Sequence, residues 1–273
     1  MKHEIYHAPK AVILADGVGS WRHPSTVNSP TALSLVGGSA LIERMIRNCL
    51  SYGISQFVVV LGDEADALKD FVDKAFRGIR VTYVINDKYR DTNTGYSLML
   101  ASPAIAGSDF IIFNADVAFD SQILGHLLDS DRSDILCIDR SIACADDAAK
   151  VIADDGMRVL EMGRLVDPNT ASGVFIGIDK ISAKTGSLLF SKLSRMLENT
   201  THAQGRYDDA YVGLLENGTL FHTLDVTGMG WIAIKAAKDL AAANAMFGSP
   251  ITTISRGQQR QMNETTAREK LTL

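Results

Sequence analysis

The chain has 273 residues, 46% hydrophobic and 22% charged, an ordinary globular composition that suits one large α/β domain better than two independent ones. A net charge of −5 argues against a non-specific nucleic-acid binder, although a local field can still attract an anionic substrate. No apolar run approaches the ~18 residues of a membrane span, and the opening Met-Lys-His-Glu-Ile is no signal peptide, so the expected compartment is the cytoplasm.

Val12, Ile13 and Leu14 form a short apolar run, so residues 10–15 read as a buried strand. Gly17 and Gly19 follow at once, in the strand–glycine–helix layout that sets backbone N–H groups around a phosphate. Two glycines alone fit a plain turn equally well. Residues 16–38 read as loop, with Pro24, Pro30, Gly37 and Gly38. A helix follows over 39–52, with Ser39 as its cap, an apolar stripe of Leu41, Ile42, Met45, Ile46 and Cys49, and Gly53 as its stop. Strands at 56–61, 80–85, 109–113 and 135–138 alternate with helices at 65–76, from 96, and at 121–129. That alternation predicts a doubly wound, mostly parallel sheet with ligands beyond its carboxyl ends. Gly17, Gly62 and the segment Asn114 to Asp116 fall just past strand ends and are placed on one crevice.

After residue 150 the pattern changes to short strands at 150–153, 159–162 and 174–178. Helices at 187–198 and 208–216, a strand at 220–226, a tight connection at 228–231 and a helix at 236–246 complete the pattern. The expected organisation is one domain over 1–247, with a nucleotide-binding half at 9–140 and an acceptor-binding half at 141–247 that carries a small β-containing lobe. Residues 248–273 read as a polar tail. Cys49, Cys137 and Cys144 lack ligand spacing. Cys49 and Cys137 read as buried packing thiols.

Several stretches now coincide in order. Leu14-Ala15-Asp16-Gly17-Val18-Gly19-Ser20 resembles the LAAGxGS signature of sugar-phosphate-type nucleotidyltransferases. The segment from Asn86 to Leu100 is similar to the "NPKY…TNN.YSL.LA" stretch of their phosphocholine, inositol-phosphate and phosphonate cytidylyltransferase branch. Asn114 to Phe119 resembles that branch's "GDvvF", and Asp225 to Ile232 its C-terminal motif. The resemblance covers roughly residues 9–245. It implies a Rossmann-like nucleotidyltransferase fold and Mg²⁺-dependent nucleotidyl transfer. The donor would be an NTP, CTP by the branch, and the acceptor a small phosphorylated alcohol or phosphonate. No nucleic-acid or membrane partner is implied, and a homo-oligomer stays open.

The resemblance assigns Leu14, Ala15, Gly17, Gly19, Ser20, Asn93, Thr94, Ser97 and Asn114 to the nucleotide. Asn93 and Thr94 serve equally well as helix caps. Lys88, Tyr96 and Asp209 are assigned to the acceptor, and Arg22, Asp116, Arg164 and Lys235 to catalysis. Asp116 is the first metal-ligand candidate, against a reading as a turn aspartate, and Asp225 the second. The acidic pair Asp208-Asp209 is a further candidate for the second carboxylate, against a reading as a charged helix start. Trp231 reads as core.

Four positions depart from the family pattern. Asp16 replaces a small residue and must bind metal or point away from the phosphates. Trp21 displaces Arg22 by one position. Thr31 stands where relatives carry a lysine, and Lys235 where they carry a metal-binding aspartate. Lys235 is expected to restore the charge that Thr31 does not give. The losses keep open a second reading, a catalytically degenerate relative with a nucleotide-binding, regulatory or scaffolding role. A sugar-nucleotide glycosyltransferase is a weaker third, for want of a DxD motif.

Overall fold

A computed structural model describes residues 8–17, 31–141, 147–198 and 204–248. The expectations for Gly19, Ser20, Trp21, Arg22, Cys144 and the tail from 249 fall outside them. In chain order the strands are β1 (Lys10–Ala15), β2 (Leu35–Val36), β3 (Ser39–Ala40), β4 (Gln56–Leu61), β5 (Arg80–Ile85), β6 (Phe110–Asn114), β7 (Val117–Phe119), β8 (Ile135–Asp139), β9 (Lys150–Ala153), β10 (Val159–Gly163), β11 (Gly173–Ile181), β12 (His222–Asp225) and β13 (Trp231–Ala233). The helices are α1 (Leu41–Ser51), α2 (Ala65–Ala75), α3 (Thr94–Ile105), α4 (Ser121–Asp129), α5 (Ala183–Leu197), α6 (Tyr207–Glu216) and α7 (Ala237–Met246).

The central sheet runs β5-β4-β1-β6 with every pair parallel. β1 is apolar from Ala11 onward because both faces are covered: Ala11, Ile13 and Ala15 join one core cluster, Val12 and Leu14 the other. β11 then adds antiparallel to β6 and carries β9-β10 from one end. β8 pairs with the other edge of β11, and β12 lies parallel on β8. β11 bends at Gly177, whose φ is +81°. A Cβ there would sit 2.4 Å from Asn114 Nδ2, so both backbone and space demand glycine.

The α1 stripe is buried as its spacing predicts. Gly53, at φ +80°, ends the helix; its N–H donates to Leu50 O and that of Ile54 to Cys49 O, a Schellman arrangement. The expected Ser39 cap is not used. Ser39 instead pairs with Val36 in the β2-β3 hairpin, and α1 starts after Ala40 without a side-chain cap. α3 begins at Thr94, two residues earlier than expected, because the Asn93 carboxamide accepts the Thr94 N–H. The antiparallel β7-β13 pair was not anticipated. It joins two distant segments just past β6, and the Ile234 N–H donates to Asp116 O at 2.8 Å.

Candidate nucleotide site

A cleft of about 440 Å³ opens beyond the carboxyl ends of β1 and β6. It is lined by Leu14, Ala15, Gly17, Asn93, Thr94, Asn114, Asp116, Arg164 and Lys235, nine residues singled out from the sequence. Each arrives by a local reason. The first three end β1, Asn114 to Asp116 end β6, Asn93-Thr94 open α3, and the β7-β13 pairing carries Lys235 to Asp116. Asn114 Oδ1 is buried and has no partner among the described residues.

Three cations meet there. Lys235 Nζ lies 3.1 Å from Asp147 Oδ2, with both side chains about half exposed, so the pair is weak and readily exchanged. Arg164 is held far more firmly: Nη1 donates to Asp209 at 2.6 Å and Nη2 to the buried Asp208 at 2.8 Å. Arg206 precedes α6, beside the backbone contact of Gly95 N–H to Gly205 O. Burial raises the Asp116 carboxyl above its ordinary range, and Lys235 and Arg206 pull it back. The hydrogen bond and charge of Lys235 lower that of Asp147. Among the described residues, Lys235 and Arg206 are therefore the cations whose charge acts on Asp116.

The remaining assigned residues among those described lie elsewhere. Ser97 is buried behind the wall and donates to Asp16. The Lys88 ammonium sits 5.9 Å from the Tyr96 ring centre, and neither residue lines the cleft. Asp209 spends its oxygens on Arg164 and the Arg206 N–H. Asp225 is displaced, because β12 lies outside β8 and β11, which separate it from β6; it accepts the Thr227 N–H and faces Arg140 at 3.8 Å. Among the described residues no three His, Cys, Asp or Glu side chains gather to hold a metal. Asp116 thus stands without Asp225 beside it.

Trp231, read as core, does pack on the core, but it also lines the cleft; its Nε1–H donates to Asp139 at 2.8 Å and pins the ring. Tyr89, Thr92, Asp147 and Arg206 line it as well and were not anticipated. Arg206 had a signal: a cation opening a helix opposes the macrodipole, a local departure worth following. Asp147 had none. Among the described residues no helix is long and apolar enough to cross a membrane.

Comparison with known proteins agrees with the sequence resemblance. Residues 37–158 match a family model described as "Domain of unknown function (DUF6564)". The CMP-5'-(3-aminopropyl)phosphonate synthase of Streptomyces rubellomurinus is 24% identical over 92% of this chain, which spans 40% of that protein. The choline-phosphate cytidylyltransferase of Streptococcus pneumoniae is 28% identical over 74% of this chain and 80% of its own length. Among solved structures, the inositol-1-phosphate CTP transferase from T. maritima superposes with a TM-score of 0.74 at 18% identity, covering 89% of this chain and 98% of that one. The CTP:phosphocholine cytidylyltransferase from Streptococcus pneumoniae gives 0.72 at 22%, covering 87% and 99%. At these identities the structural likeness establishes the fold, a nucleotidyltransferase fold.

Proposed function

We propose that this chain, a nucleotidyltransferase relative of the cytidylyltransferase-like branch, transfers a nucleotidyl group from an NTP, CTP above others, to a small phosphorylated alcohol or phosphonate. An acceptor oxygen attacks the α-phosphorus, the bond from that phosphorus to the bridging oxygen breaks, and pyrophosphate leaves with the electron pair. The observation that carries this reading is the meeting of Asp116, Lys235 and Arg206 in one cleft beyond β1 and β6.

The reaction builds negative charge, so fixed cations at the cleft wall favour its transition state. Lys235 exchanges its weak contact with Asp147 for the triphosphate, and Arg206 adds a second charge. Arg164, clamped by Asp208 and Asp209, positions rather than travels. A divalent metal fits Asp116, since Mg²⁺ is held by one or two carboxylates with substrate phosphates and water completing its shell. When bound, the metal draws charge from the transferring group.

A second reading, nucleotide binding without turnover, is favoured by the exclusion of Asp225 from the cleft, which leaves Asp116 without the second carboxylate assigned to the metal. One assay separates the two. The protein is incubated with each NTP, Mg²⁺ and a panel of small phosphates and phosphonates, and pyrophosphate is measured. Acceptor-dependent release supports transfer. Thermal stabilisation by nucleotide with no release from any pair supports binding alone.

A further inference from the structure

The Asp16 carboxylate is built into the cleft wall in a way the transfer chemistry does not use. The alternation of β1 sends Val12 and Leu14 to the core face shared with Leu98 and Ala101 of α3. Asp16 continues that face and is 7% exposed. Its Oδ2 accepts from Asn86 Nδ2 at 2.7 Å and from the Ser97 hydroxyl. The Asn86 amide cannot turn over without loss, because its Oδ1 accepts the Lys88 N–H at 3.0 Å while Nδ2 also reaches Thr92. Gly62 makes room for the turn: a Cβ there would lie 2.5 Å from Asp16 O and 2.9 Å from Asp16 Cβ. Asp16 lines the cleft, and among the described residues Oδ1 takes no hydrogen bond.

The wall therefore presents an anchored acceptor with spare lone pairs. We infer that Asp16 Oδ1 reads the base of the bound nucleotide by accepting a hydrogen bond from an exocyclic amino group, and so selects cytosine over uracil. This rests on the nucleotide-binding reading above. Cytosine offers N4–H₂ to a carboxylate, whereas uracil turns a carbonyl oxygen toward it, and lone pairs facing a carboxylate repel. Asn86 and Ser97 are positioning residues that hold the carboxylate in its orientation.

The test is calorimetric titration of the full-length protein with CTP, UTP, ATP, GTP and the triphosphate of pyrimidin-2-one riboside, which lacks any 4-substituent, all with Mg²⁺. The wild type binds CTP at least about tenfold more tightly than UTP, with the pyrimidinone nucleotide between them. Asp16→Asn and Asp16→Ser, checked for folding by thermal melting, bring CTP and UTP to within about threefold. The inference is overturned if the wild type binds UTP as well as CTP, prefers a purine nucleotide, or keeps its CTP:UTP ratio in the Asp16 variants while losing affinity for both. The three-nucleotide ranking on the wild type decides even where a variant fails to fold. Binding of a nucleotide without CTP preference overturns only the role of Asp16. Binding of none overturns the nucleotide reading as well.

Discussion

Asp116 and Lys235 are neighbours because a two-stranded ribbon makes them so, and the lysine charge works against the burial that raises the Asp116 carboxyl. Replacing Asp116 with Asn keeps its shape and removes its charge. The expected result is a fall on the order of 100-fold in kcat, with a smaller change in nucleotide affinity. Equal loss in both would make Asp116 a binding residue only. Lys235→Ala is expected to weaken NTP binding several-fold, by roughly 1 kcal/mol or more, because the mutant has one cation fewer to offer the triphosphate. Unchanged affinity in an equilibrium titration would rule out compensation for Thr31. Lys235→Arg, which keeps the charge, separates charge from packing.

At the level of elements, Gly177 is the most exacting position near the site. It combines positive φ with the Asn114 side chain against its missing Cβ. Gly177→Ala is expected to cost about 1–3 kcal/mol, read as a lower denaturant midpoint at unchanged slope, and to disturb Asn114 at the cleft. The parallel strands were legible because each is a near-continuous apolar run, and the helices because their stripes repeat at helical spacing. The β7-β13 ribbon was not, since Val117–Phe119 and Trp231–Ala233 are three residues each and pair across more than a hundred positions. No local periodicity announces such a contact. The same ribbon carries Trp231 and Lys235 to the cleft, which is why Trp231 looked like core and Asp147 gave no signal. Asp225 misled for the converse reason: a motif placed it, but the pairing of β12 with β8 left β11 and β8 between it and β6.

For the whole molecule, Asp179 makes a pH dependence that needs no ligand. It lies fully buried on β11 beneath α6, where the Tyr207 and Tyr211 hydroxyls contact it. Burial pushes its carboxyl up to about 8, although the tyrosine hydrogen bonds work the other way. The folded protein therefore holds a proton that the unfolded chain releases near pH 4. Between those values the native state binds more protons, so stability falls as pH rises from about 4 to 8. The melting temperature should drop across that window more steeply in the wild type than in Asp179→Asn, whose amide stays neutral. Parallel profiles would remove Asp179 as the cause.

The central claim is that one cleft binds a nucleoside triphosphate and moves its α-phosphorus to an acceptor. The most direct measurement follows an NTP labelled at the α-phosphate, incubated with Mg²⁺ and a panel of small phosphates and phosphonates. The label should appear in a nucleoside diphosphate-linked product, or its phosphonate counterpart, with one pyrophosphate released per product and only when an acceptor is present. Label that stays in the NTP under every pairing, or emerges as free nucleoside monophosphate regardless of acceptor, would contradict it.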